Sequence, residues 1–300
     1  MSEKLITILG PTAVGKTKFA VDLAEKFNGE IISADSRQVY KHMNIGTGKD
    51  LKDYHTTIGI VNYHLIDILE PWEEFDLYKF RKEFVKVFND IQSKGKNPFL
   101  VGGSGMYISS VIQNYNIPPV DFNSTRYKEL YELEESELRK ILLILKPEQH
   151  NVTDLIRKER LIKAILVAEQ SGQKMPQPDL VSLNIGILQS RDLIKKNITT
   201  RLKIRLDEGM IDEVRNLLKI GVTFEKLKFF GLEYKFIGMY LNKELNYNDM
   251  YQQLNSAIHQ FAKRQMTWFR KMEKEGVTIY WVSPGDKSYA SELISKFING

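Results

Sequence analysis

Leu5-Ile-Thr-Ile-Leu-Gly10-Pro-Thr-Ala-Val-Gly-Lys-Thr17 carries an apolar strand straight into a loop bounded by two glycines, and Phe19, Ala20, Leu23, Ala24 and Phe27 follow it with helical spacing. A strand, a G-x-x-x-x-G-K-T loop and a helix in that order form a phosphate cradle. The glycines let the backbone wrap so that its N–H groups face inward, and the helix N-terminus adds positive potential. Gly10, Pro11, Thr12, Ala13, Val14, Gly15, Lys16 and Thr17 are therefore the candidate phosphate ligands. Lys16 reaches the outer phosphate in such a loop, and the Thr17 hydroxyl is available to Mg2+. The loop alone does not say which phosphate compound it holds.

Further apolar runs at residues 31–34, 64–68, 99–101, 183–188 and 277–282 read as strands, and residues 77–93 and 248–275 carry helical periodicity. Strands alternating with helices predict an α/β fold, a P-loop-type parallel sheet flanked by helices, with ligands at the carboxyl ends of the strands. Asp35 and Ser36 follow one run and Ser104 another, so they are expected to share a cleft with the loop. Residues 118–180 show no strand pattern. Helical segments at 124–146 and 154–171, set off by prolines, predict an all-helical insertion between 1–117, the first part of the core, and 181–300, its remainder.

The chain of 300 residues, 42% of them hydrophobic, is long enough for about two domains with a buried core. The absence of cysteine excludes disulfides and thiolate metal sites. No basic-plus-apolar leader precedes the first strand, and no apolar stretch approaches the ~20 residues of a membrane span, so a soluble, cytoplasmic protein is expected. The net charge of +5 is uneven, because residues 181–300 hold 19 basic against 13 acidic side chains. That surplus suits either a polyanionic partner or an ordinary solvated surface. On the helix at 248–275, Met250, Leu254, Ala257, Phe261, Trp268 and Met272 are read as the core face, and Gln252, His259, Lys263, Arg270 and Lys274 as the opposite one.

Among proteins with such a loop, a GTPase needs an Asn/Thr-Lys-x-Asp guanine reader and a transport ATPase a Leu-Ser-Gly-Gly-Gln-like signature; neither string occurs. A small-molecule kinase using ATP remains a rival, with Asp35 as base or metal ligand and Asp67 as a carboxylate ending an apolar strand. Asp followed by Ser is also common at helix starts. The residues alone thus leave Asp35 between cap, metal ligand and acid–base group.

Behind the phosphate loop come Ile32-Ser-Ala-Asp-Ser-Arg-Gln-Val-Tyr40, Ile45-Gly-Thr47, His64-Leu-Ile-Asp67, Val101-Gly-Gly-Ser-Gly-Met-Tyr107 and Ala262-Lys-Arg-Gln-Met-Thr-Trp268, in that order. From residue 4 to about 275 this string resembles the tRNA dimethylallyltransferase, or tRNA isopentenyltransferase, family. The resemblance implies that the cradle holds dimethylallyl diphosphate rather than ATP. It also implies transfer of the dimethylallyl group to N6 of adenosine 37, beside the tRNA anticodon, giving N6-isopentenyladenosine and diphosphate. An exocyclic amine is a poor nucleophile, and the resemblance makes Asp35 the base that takes its proton. Thr12 and Lys16 would then serve the leaving diphosphate, with Mg2+ on Thr17.

For the tRNA partner, the resemblance implies contacts from Asp35, Ser36, Arg37, Gln38 and Ser104 around the target adenosine. Arg157, Lys158 and Arg160 would grip the tRNA from the insertion, and His259, Gln260, Lys263 and Arg264 from the last long helix. A monomer is implied as well. Three departures stand out. Ile258-His259 replaces the Thr-Arg that the family often has, the insertion is shorter than in many relatives, and Leu227-Lys-Phe-Phe-Gly-Leu-Glu-Tyr234 lacks an arginine expected at the diphosphate. Lys228 is the expected replacement, and a catalytically inactive tRNA-binding relative is the remaining alternative.

Overall fold

The computed structural model describes residues 3–121, 124–147, 158–170 and 177–300. The chain forms two compact units, one of Met1–Gln113 with Pro178–Gly300 and the other of Asn114–Gln177. In chain order the elements are β1 (Glu3–Leu9), α1 (Lys16–Lys26), β2 (Gly29–Ala34), β3 (Tyr63–His64), α2 (Leu77–Ser93), β4 (Asn97–Gly102) and α3 (Gly105–Ile112). The smaller unit contributes α4 (Thr125–Glu132), α5 (Glu135–Leu145) and α6 (Lys158–Glu169). The larger unit resumes with β5 (Leu180–Ile187), α7 (Arg191–Asp207), α8 (Met210–Lys219), α9 (Phe224–Phe229), α10 (Leu232–Leu241), α11 (Tyr247–Lys274), β6 (Tyr280–Val282) and α12 (Lys287–Asn299).

The strands form one parallel sheet in the order β3-β2-β4-β1-β5-β6. In β1, Ile6 pairs with Phe99 of β4 on one side and with Leu183 of β5 on the other. Successive side chains alternate between faces. Leu5 and Leu9 join the core under α2, α3 and α7 to α11, while Ile6 and Ile8 join the core under α1 and α12. Burial on both faces explains why the strands read as near-continuous apolar runs. On α2, Phe80, Phe84 and Phe88 recur every fourth residue and are fully buried, each contributing about 1.5 to 3 kcal/mol. The Asp76 side chain caps that helix by accepting from Lys79 N–H at 2.8 Å.

Two sequence expectations for this unit are corrected. The run at 64–68 is a strand only at Tyr63–His64, because Leu65 and Asp67 adopt positive φ of 62° and 54°. Beyond His64 the backbone turns to bond a different segment, Asp67 N–H to Gln38 O and Ile68 N–H to Val39 O. The core face of α11 is also rotated from the expected one, burying Met250, Leu254, Ile258, Ala262, Gln265, Phe269 and Met272 and leaving Phe261 39% exposed. A hydrophobicity pattern cannot place a buried glutamine in a core stripe.

In the smaller unit, α4, α5 and α6 close around Leu130, Leu138, Leu142, Leu161, Ile162, Ile165 and Leu166. The helix expected over 124–146 is two helices, broken where Leu133 and Glu134 take extended ψ of 152° and 151°. The unit begins and ends slightly before the expected 118–180.

Candidate active site

The phosphate loop leaves β1 through a constriction. A Cβ on Gly10 would stand 2.7 Å from Ile187 O, and its φ of 154° is a glycine conformation. Gly15, at φ 79°, then turns the chain into α1, whose N-terminus has no side-chain cap. The α3 and α10 helices also begin without one, at Ser104 and Gly231. All three N-cap residues line a single cavity of about 420 Å3 at the carboxyl ends of the strands. By contrast, α2, α7, α9, α11 and α12 are capped by their own side chains, while α8 starts uncapped at Gly209 outside the cavity lining. Free N–H groups and the helix dipoles at α1 and α3 favour an anion there, whereas the first turn of α10 already carries the Glu233 carboxyl.

The loop's charge environment fits the same occupant. Lys16 Nζ donates to Pro11 O at 2.6 Å. Burial, then the neighbouring Arg201 guanidinium, pulls the Lys16 ammonium down to about 7, with Asp35 opposing. Arg201, on α7, donates from its guanidinium to Thr12 Oγ1. Burial and the adjacent Arg205 bring Arg201 itself down to about 10. Two neighbouring, desolvated cations are an arrangement that a bound anion would relieve.

Asp35 follows β2 directly and lines the same cavity. Its Oδ1 accepts from Arg37 N–H at 2.8 Å and Gln38 N–H at 3.4 Å, while among the described residues Oδ2 has no hydrogen-bond partner. The carboxylate is thus oriented at one oxygen and open at the other. Gln38 is fixed by Ser33 Oγ, which donates to its Oε1 at 3.0 Å, and by Gly48 O, which accepts from its Nε2 at 3.1 Å. Ser36 N–H donates to Ser104 Oγ at 3.3 Å, tying the ends of β2 and β4 together. The Arg37 guanidinium stacks 4.4 Å from the centre of the Phe229 ring.

Several lining residues were not anticipated from sequence. Arg201 and Arg205, four apart on α7, share a helix face, and that spacing was the available signal. Arg205 is buried against Gly48, where a Cβ would stand 2.1 Å from Nη2. Glu233, in the first turn of α10, is pushed up by burial, against its own backbone N–H, Arg205 and Arg201. Behind the cavity, Glu213 of α8 accepts from the N–H groups of Asn44, Ile45 and Gly46 at 2.7, 2.7 and 2.9 Å and from Tyr234 OH at 2.7 Å. This clasp shapes the Ile45-Gly-Thr47 segment against the cavity. Nothing local in the sequence marks Glu213.

The expected residues are distributed unevenly. Thr12, Ala13, Gly15, Lys16, Thr17, Asp35, Ser36, Arg37, Gln38, Ser104 and Arg264 line the cavity. Lys228 does not, because it is exposed on α9, and the extra cations come instead from Arg201 and Arg205 on α7. Asp67 is also outside the lining and pairs with buried Lys49 at 2.5 Å, which removes it as the rival kinase's strand-end carboxylate. On α11, Gln260 and Lys263 are exposed, whereas half-buried His259 has Nε2 3.4 Å from Thr199 Oγ1. Burial, then Lys195, lowers the His259 imidazole below its ordinary value. In the smaller unit, Arg160 is exposed beside Lys146 and Lys163 along a groove, and Lys158 lies 5.1 Å over the Tyr131 ring. Arg157 is outside the described residues.

A phosphate loop, a lysine, two arginines and a half-free carboxylate meet at the carboxyl ends of a parallel α/β sheet, and the family models that match the chain make it an α/β transferase. A family model described as IPP transferase matches residues 38–272, and one described as isopentenyl transferase matches residues 3–58. The chain belongs to the tRNA dimethylallyltransferase family. It is 48% identical over 284 residues to tRNA dimethylallyltransferase 1 of Geotalea uraniireducens (strain Rf4), covering 94% of this chain and 93% of that protein. To tRNA dimethylallyltransferase 2 of Syntrophotalea carbinolica it is 50% identical over 286 residues, covering 94% and 95%. The crystal structure of the full-length tRNA isopentenylpyrophosphate transferase of Bacillus halodurans superposes with a TM-score of 0.72 at 30% identity, covering 99% of this chain and 97% of that one.

Proposed function

We propose that this enzyme transfers a dimethylallyl group from dimethylallyl diphosphate to N6 of adenosine 37 in tRNA, releasing diphosphate. The observation that carries the reading is the open Oδ2 of Asp35 in the same cavity as Lys16 and Arg201. A carboxylate steadied at one oxygen keeps the other free to take the proton of an attacking amine. Lys16, Arg201 and the open N-terminus of α1 share that cavity, which supports the reading because preorganised donors stabilise the charge that develops on a departing diphosphate. Phe230, Leu232, Ile258 and Phe261 give the cavity an apolar wall suited to a five-carbon chain.

Mg2+ fits as an ion carried by the donor. Among the described residues no cluster of three or more His, Asp or Glu side chains could cage a metal, while the Thr17 hydroxyl lines the cavity beside the loop. Mg2+ usually retains waters and is held largely by substrate phosphates. When bound there it would neutralise diphosphate charge, with Thr17 as the protein ligand.

The tRNA side is supported by Lys263 and Arg264 on α11 and by Arg160 in the smaller unit, all exposed cations suited to phosphate contacts. Among the described residues no helix is long and apolar enough to cross a membrane. We place the enzyme in the cytoplasm with its substrate, acting as a monomer, since one chain supplies every group invoked. Incubation with dimethylallyl diphosphate, Mg2+ and unmodified tRNA, followed by nucleoside mass analysis, is expected to yield N6-isopentenyladenosine at position 37. Phosphoryl transfer from ATP to a small acceptor with the tRNA unaltered, or tight tRNA binding without turnover, would overturn this reading.

A further inference from the structure

Gln265 is a polar residue inside the core stripe of α11, only 7% exposed. Its amide joins two loops that are far apart in the chain. Oε1 accepts from Thr12 N–H at 2.8 Å, and Nε2 donates to Gly103 O at 2.9 Å. Gly103 admits the side chain only because it lacks a Cβ, which would stand 2.4 Å from Nε2. One turn further on, Trp268 repeats the attachment, donating from Nε1 to Ser109 Oγ at 2.6 Å and covering Gly105 with its ring.

A glutamine presents an acceptor and a donor at the same end, which matches an N–H from one loop and a carbonyl from another. Neither leucine nor methionine can do both. Thr12 is therefore held at two atoms, its N–H by Gln265 and its hydroxyl by Arg201. Its N–H is committed to the protein and is not among the donors offered to a phosphate.

We propose that Gln265 is a positioning residue of the donor site, spacing the start of the phosphate loop from the end of β4 so that Thr12 and Ser104 keep their places around the reacting atoms. This rests on the cavity being the site of dimethylallyl diphosphate. Outer-shell hydrogen bonds that orient metal ligands are worth about 10- to 100-fold, and a similar effect is expected of this bridge because small misplacements at a reacting centre cost as much.

The test uses Gln265→Met and, independently, Gly103→Ala, which should displace the amide while leaving Gln265 in the chain. Inorganic pyrophosphate binding by calorimetry, donor KM and kcat, tRNA Kd and the melting temperature are measured for each. Gln265→Met should lower kcat/KM for dimethylallyl diphosphate by about 10- to 100-fold and weaken pyrophosphate binding, with tRNA Kd within about twofold of the parent and the fold retained. Gly103→Ala should do the same, and the double variant should be no worse than Gln265→Met alone, because both remove one bridge. Parental pyrophosphate affinity and donor kinetics in both variants would overturn the proposal. If Gln265→Met does not fold, unchanged pyrophosphate affinity in Gly103→Ala does so by itself. A parent enzyme that binds pyrophosphate but makes no prenylated tRNA would instead refute the proposed function, leaving the bridge to be judged by pyrophosphate alone.

Discussion

Strand β2 carries a carboxylate at each end, and the two are treated in opposite ways. Near its start, Glu30 is fully buried, with Oε1 accepting from Lys96 Nζ at 2.7 Å and Asn62 Nδ2 at 2.9 Å and Oε2 lying 2.7 Å from His64 Nε2. Burial would raise this carboxyl, but the hydrogen bonds from Lys96, Asn62 and His64 outweigh it and hold the group down to about 2. Just beyond the other end, Asp35 has one oxygen held and the other open to a cavity. A buried carboxylate therefore says little about chemistry. Whether its lone pairs are already spent on the protein separates a structural acid from a reactive one.

The sharpest way to break this contrast is to neutralise each acid in turn. Asp35→Asn should lower turnover by about 10^2- to 10^4-fold with tRNA binding retained, whereas Glu30→Gln should leave the rate per folded enzyme near the parental value. A parental rate in Asp35→Asn would end its assignment as base. Next in size, Arg201→Gln should reduce kcat/KM for dimethylallyl diphosphate by about 10^2-fold, while Lys228→Gln should change it little, read by steady-state kinetics. The reverse order would return Lys228 to the diphosphate.

At the closed end of the strand the expected effect is on stability. Because the folded Glu30 lies below its ordinary 4.5, its contribution is complete above that pH and is lost as pH falls toward about 2. Glu30→Gln should cost about 2 kcal/mol near neutrality, allowing for its partly exposed lysine partner, and the deficit should shrink through that acid window. Denaturant titrations at several pH values measure it; a deficit independent of pH would mean that packing, not charge, is what Glu30 supplies. Smallest is the surface term. Lys263→Ala should weaken tRNA binding a few-fold and flatten the plot of log affinity against log salt by about one unit, and an unchanged slope would make that lysine ordinary solvated surface.

Legibility followed locality. The loop from Gly10 to Thr17, the helix at Leu77–Ser93 and the position of Asp35 after a strand depend on contacts within a few residues, and each lies where the periodicity put it. The strand expected through Asp67 failed because Lys49 and the Gln38–Val39 backbone draw that segment aside. The α11 face departs from the hydrophobic pattern because Gln265 is buried for its hydrogen bonds and not for any hydrophobicity. Only its neighbours in the chain point to Lys228, and a helix starting at Arg191, outside every motif, supplies the cations instead.

By itself the sequence determined that a phosphate cradle opens a parallel α/β sheet, that a carboxylate stands at a neighbouring strand end, and to which family the ordered motifs belong. These rest on backbone conformation and short-range spacing, which a few consecutive residues encode. Only the tertiary structure decided that Arg201 meets Thr12 across 189 residues and that Gln265 meets the same residue across 253. The rotational setting of each helix and the register of the sheet govern such meetings, and they emerge from packing the whole core at once rather than from any stretch of the chain.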